Sequence, residues 1–131
     1  MKIKISDIRS RYLLLTELAD KRLPVKLAFA VGRNLTKLAP EVEMAEKQRE
    51  RLCEEYADRK DGKPIMVGGN YQIAAERSEE FTAQIEDLFN TEVTVDIMSV
   101  SPAVLDLMDS DRYDPLTPAQ IMSIDWMMKD A

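Results

Sequence analysis

Residues 24–58 read PVKLAFAVGRNLTKLAPEVEMAEKQRERLCEEYAD, and their spacing decides how this chain folds. Apolar side chains recur there about every 3.5 residues, at Ala28, Val31 or Gly32, Leu35, Leu38 or Ala39, Val42 and Ala45. The pattern weakens at Arg49 and resumes at Leu52 and Tyr56, which predicts one long helix with an inward stripe. Between the apolar positions run Glu41, Glu43, Glu46, Lys47, Arg49, Glu50, Arg51, Glu54 and Glu55, a polar face able to form i,i+3 and i,i+4 pairs. Pro24 suits the first helical position, where the missing N–H is not needed. Pro40 lies inside the pattern. It removes one backbone hydrogen bond and crowds the preceding turn, so the helix is expected to bend there rather than end.

Toward the N-terminus, Lys2-Ile3-Lys4-Ile5 alternates polar and apolar, the signature of a short edge strand with its lysines outward. Ser6 or Asp7 is then placed to cap a helix whose apolar face holds Ile8, Tyr12, Leu15 and Ala19, widened by Leu14 and Leu18. Asp20-Lys21-Arg22-Leu23 is the turn between the two helices.

Toward the C-terminus, Asp61-Gly62, Ile65-Met66-Val67, Gly68-Gly69-Asn70 and Tyr71-Gln72-Ile73 predict a hairpin, because glycine and asparagine accept the positive φ of a tight turn. A third helix is expected over about 76–90, with Phe81, Ile85, Leu88 and Phe89 on one side. Thr91–Ile97 alternates strictly and presents Val93, Val95 and Ile97 to the core as a strand. Ser101-Pro102 opens a short helix through about Met108, and residues 109–115 are the most loop-like piece. Thr117-Pro118-Ala119-Gln120 announces a last helix, with Ile121, Ile124 and Met128 as its inner stripe. Together these elements predict an α+β fold, mainly α: a long helical hairpin, a small antiparallel sheet and a C-terminal helix, in a single domain over residues 1–131.

Composition narrows the chemistry. The chain has no histidine, which removes Ser-His-Asp triads, Cys-His dyads and nearly every zinc or non-haem iron site. Cys53 is the only cysteine, so no internal disulfide forms, and its acidic neighbours Glu54 and Glu55 disfavour a reactive thiolate. Carboxylates, lysine and tyrosine are thin material for catalysis, so a binding protein is expected rather than an enzyme, with no cofactor and no metal. No run of about eighteen apolar residues offers a membrane span, and Met1–Ile5 lacks the apolar core of a secretory signal; the expected location is the cytoplasm.

The net charge of −6 is unevenly spread. Residues 1–40 carry nine Lys/Arg against three Asp/Glu (+6), and residues 41–131 carry nine against 21 (−12). Such a polarity can set subunits head against tail or present a basic patch to an anion, and it is also compatible with simple solvation.

The order LADKRLPVKLAFAVGRNLTKL (18–38), a charged helix, GNYQI (69–73), EEF (79–81), TEVTVDI (91–97) and a helical tail resembles a family of small uncharacterised proteins encoded by phages and prophages. The resemblance spans nearly the whole chain. It implies a viral origin and no mechanism.

Lys26, Arg33 and Lys37 stand at i, i+7 and i+11 and so project from one side of the long helix, with Asn34 adjacent and Tyr12 able to approach from the first helix. Cations beside an aromatic plane are what a nucleotide needs, charge for phosphate and a face for the base. The plainer reading of the same row is a solvated helix face. Asp109, Asp111 and Asp114 could gather a divalent cation, although their spacing departs from a calcium loop and an acidic surface loop is the simpler reading. Trp126, Met127 and Met128 cannot all face inward on one helix, since successive residues are about 100° apart, so they are expected to contact another subunit.

The function these features suggest is a phage-encoded, non-enzymatic binding protein that neutralises a host defence factor, by sequestering a nucleotide-type signal in a homo-oligomer. The alternatives are an inhibitor that docks directly on a host defence protein through its acidic face, and a structural or assembly factor of the virion. Duplex binding is disfavoured by the acidic second half of the chain, which phosphates would repel.

Overall fold

The helix foreseen from residues 24–58 is a single 32-residue α-helix, α2 (Val25–Tyr56), about 48 Å long at 1.5 Å per residue. The computed structural model describes residues 1–129. Pro40 is exposed, and the helix runs through it. The buried side of α2 carries Leu27, Ala30, Val31, Asn34, Leu38, Ala45, Cys53 and Tyr56. In its first turn this stripe differs from the expected one, because Ala28 is exposed while Leu27 is buried; of the alternatives Val31 and Gly32, Val31 is the inward one. Turning Leu27 and Val31 inward removes more apolar area from water than alanine and glycine could. The weak point at Arg49 is filled by the arginine itself: it is half-buried, bonded to Glu46 through Nε (3.1 Å) and close to Cys53 Sγ (3.9 Å). Its aliphatic stem covers the apolar seam while its charge stays paired.

Helix α1 (Ile5–Ala19) packs antiparallel-hairpin fashion against α2 and starts directly off strand β1 (Lys2–Lys4). Lys4 takes the N-cap position without a side-chain cap, so Ser6 and Asp7 lie inside the first turn rather than capping it. Ile8, Leu15 and Leu18 are its buried residues, Tyr12 and Leu14 are half-buried against the same core, and Ala19 is exposed at the helix end.

Four short strands follow α2: β2 (Arg59–Lys60) pairs with β3 (Lys63–Pro64), and β4 (Met66–Val67) with β5 (Asn70–Tyr71), all antiparallel. The positive φ of Asp61 and Gly62, and of Gly68 and Gly69, marks the two tight turns. The expected single hairpin is therefore two, joined where Asp58 N–H donates to Gln72 O and Gln72 N–H to Ile65 O. Helix α3 (Ser78–Asn90) leads into β6 (Glu92–Thr94), which pairs antiparallel with β1 in the register Ile3 opposite Val93. The alternation continues beyond the paired residues, with Val95 buried and Val93 and Ile97 half-buried in the core.

A 3-10 segment, Pro102–Asp109, opens on Ser101, whose hydroxyl accepts from Ala103 N–H. Helix α4 (Pro118–Ser123) begins with the expected capping box, Thr117 Oγ accepting from Gln120 N–H (3.1 Å) and Gln120 Oε accepting from Thr117 N–H (2.9 Å). It lasts only six residues, then tightens into a 3-10 turn, Asp125–Met127. The expected inner stripe is corrected accordingly: Ile124 is buried, but Ile121 is exposed. Of residues 126–128 only Met127 is fully buried, while Trp126 and Met128 pack half-buried on the same core and keep part of their surface exposed. That core joins α1, α2, β1, β6 and the C-terminal turn into one apolar cluster. Among the described residues no helix is long and apolar enough to cross a membrane.

Candidate functional site

Residues 96–101 leave β6 and run along the N-terminal half of α2, and two sets of bonds hold them there. Asn34, fully buried on α2, donates from Nδ2 to Met98 O (3.0 Å) and accepts Met98 N–H at Oδ1 (2.6 Å). Two residues on, Val100 N–H donates to Met127 O and Lys129 N–H to Val100 O, both at 2.9 Å. The segment is thus a wall fixed from two sides, and between it and the outward face of α2 runs a shallow groove.

The groove consists of three adjoining depressions of about 480, 480 and 470 Å³. The central one lies between Val25, Lys26 and Phe29 on α2 and Met98–Ser101 on the wall. Past Phe29 and Met98 it opens into a polar depression bordered by Arg33, Lys37, Asp96 and Ile97. Past Lys26 and Val100 it opens the other way into a depression lined by Pro24, Val104, Leu107 and Tyr113. The floor is apolar and open to water: Val25 is 79% exposed, Phe29 59% and Leu107 56%. Exposure on this scale, in one continuous patch, is what marks a binding surface.

Three of the five ligand residues suggested by sequence therefore converge. Lys26 and Arg33 are exposed and Lys37 half-buried, all on the groove, and none makes an ion pair among the described residues. Asn34 does not reach the groove, because its carboxamide bonds the Met98 backbone, with Nδ2 also 3.8 Å from Met127 Sδ, and its surface is buried. Tyr12 packs on the core from α1 and lines none of the three depressions. The aromatic part falls instead to Phe29 and Tyr113, which sequence inspection passed over. Phe29 was recoverable, since it lies three residues after Lys26 and four before Arg33, on the same helical face. Tyr113 and the 96–101 wall reach the groove only through long-range contacts that no local spacing announces.

Of the remaining candidates Asp109 and Asp111 are exposed, while Asp114 is engaged by the fold. Asp114 accepts Arg22 N–H at 2.7 Å and pairs with the Arg22 guanidinium at 3.4 Å, tying the acidic loop to the α1–α2 turn. The backbone bond from Arg22, reinforced by the guanidinium, holds the Asp114 carboxyl below the usual carboxylate range. Trp126 lies under Arg11, whose guanidinium carbon is 4.7 Å from the ring centroid, and its indole N–H is buried without a partner among the described residues. Burial of Arg11 against this ring lowers its pKa. Met127 offers no surface to a neighbour, being wholly inside its own chain.

No protein-family model, no curated protein and no solved structure matches this chain.

Proposed function

We propose that this chain is a non-enzymatic binding protein that captures a nucleotide-type anion in the groove beside α2. One observation carries the reading: three cations without ion-pair partners among the described residues, Lys26, Arg33 and Lys37, border a groove whose exposed floor is aromatic and aliphatic. Arginine and lysine answer phosphate, while Phe29 offers a face to a base, so one surface meets both halves of a nucleotide. In the viral setting that the sequence resemblance implies, the role is to withdraw a nucleotide signal from a host defence system, with several copies acting as a sponge. The exposed acids of α3, Glu79, Glu80, Glu86 and Asp87, support direct docking on a basic host protein as the second reading.

The double variant Arg33→Glu/Lys37→Glu separates the two. Two lost charge-assisted contacts lower the affinity for adenosine 5′-monophosphate by about a hundredfold or more in calorimetric titration, with the circular dichroism spectrum unchanged. Affinity retained in the double variant removes the groove as the binding surface. Native mass spectrometry of protein purified from bacterial cells complements this, since a defined oligomer releasing a nucleotide on denaturation supports the sponge directly. Protection of an infecting phage that survives the charge reversal favours the docking inhibitor.

A further inference from the structure

The groove does not present one cationic end and one apolar end. It alternates. Arg33 and Lys37 on α2, facing Asp96 on the wall, form a polar end. Phe29, Met98 and Val100 make an apolar stretch. Lys26 follows, and then a second apolar stretch with Leu107 and Tyr113. Lys26 and Arg33 are seven residues apart on α2, about 10 Å along its axis. Lys26 also stands in the first turn of α2, which has no side-chain cap and no acidic residue. The positive end of a 32-residue helix, with its free first-turn amides, therefore adds to the lysine at the same place. Two anion-binding positions thus bracket one aromatic floor, and a second aromatic side chain lies beyond the inner one.

We propose that the groove binds a dinucleotide, two bases joined through phosphate, rather than a mononucleotide; this rests on the reading of the groove as a nucleotide site. The first phosphate sits on Arg33 and Lys37, and the first base lies on Phe29 against Met98. The linking phosphate meets Lys26 and the open first turn of α2, and the second base lies on Tyr113 beside Leu107. A mononucleotide fills only the Arg33–Phe29 half. A longer strand gains nothing further, because the three depressions provide two apolar floors and no third.

The test is a length series on the intact chain: adenosine 5′-monophosphate, 5′-phosphorylated diadenylate and 5′-phosphorylated hexa-adenylate, titrated by calorimetry at fixed salt. Stacking one more base and engaging one more phosphate makes the diadenylate bind roughly tenfold or more tightly than the monophosphate. Hexa-adenylate then improves on the diadenylate by no more than its additional registers supply. Lys26→Ala and Tyr113→Leu each remove the gain of the second nucleotide, so that either variant binds the diadenylate no more tightly than it binds the monophosphate. Equal affinity for one and two nucleotides overturns the proposal, as does affinity that keeps climbing with length, which marks a strand-tracking surface. A full dinucleotide gain in both variants overturns the residue assignment. If none of the three probes binds, the nucleotide reading of the groove falls as well, an outcome distinct from monophosphate binding without a gain.

Discussion

A carboxamide with no solvent exposure must satisfy both ends of its amide, and Asn34 does so by closing a two-bond ring with the backbone of Met98, with Nδ2 also 3.8 Å from Met127 Sδ. Replacing it with alanine strands the Met98 N–H and C=O beside a small void. Asn34→Ala is expected to lower stability by about 2–4 kcal/mol, read from denaturant midpoints, because unsatisfied backbone groups cost more than the bonds themselves contribute. A loss near zero would mean that water replaces the amide and that the wall needs no clamp. The sequence placed Asn34 on the right helix but in the wrong role. An asparagine between Arg33 and Leu35 reads as polar and outward, and only the return of residues 96–99 to the same helix turns it into an internal tie. Phe29 shows a different gap: it is absent from the inward stripe of α2, and its position among Lys26, Arg33 and Gly32 sets it on the wet face.

At the level of elements, local patterns were legible wherever the signal and its consequence lie within a turn or two. The capping box at Thr117, the strict alternation of Thr91–Ile97 and the length of α2 all belong to this class. The length of α4 does not, because its end is decided by the bonds that pull Met127–Lys129 onto Val100, almost thirty residues earlier. Pro40 is the clearest local conflict that the fold tolerates. It is exposed in the interior of α2, where it supplies no N–H to the preceding turn, and packing on either side carries the helix through. Pro40→Ala is expected to raise stability by about 1–3 kcal/mol, since the variant restores a helical hydrogen bond and removes the ring clash. Thermal unfolding checks this, and a variant less stable than the parent would show that the proline ring itself makes a contact the helix needs.

At the level of the whole molecule, the acidic loop is fastened to the helical hairpin through Asp114 and the α1–α2 turn. Because the folded carboxyl titrates below its ordinary range, the contact is complete at pH values above the unfolded pKa and is lost as pH falls through the lowered folded value. Asp114→Asn is therefore expected to reduce Tm at neutral pH, with the gap to the parent closing on acidification. A gap that persists unchanged at low pH would assign the effect to side-chain shape rather than charge. The polarity of the chain, +6 over the first forty residues and −12 over the rest, puts the α2 side of the groove in the basic part and its wall, with Asp96, in the acidic part. That polarity was legible from composition, whereas the wall that converts a row of cations into a groove was not.

Trp126, the only tryptophan, sits beneath Arg11 of α1 on the segment whose backbone holds Val100 in place. Its indole therefore occupies the seam where α1 meets the turn at Asp125–Met127, one step removed from the wall of the groove. Intrinsic fluorescence in this protein is a gauge of that seam: the optical signal follows how tightly the last turn is seated, and it reads the long helix only through what the helix supports.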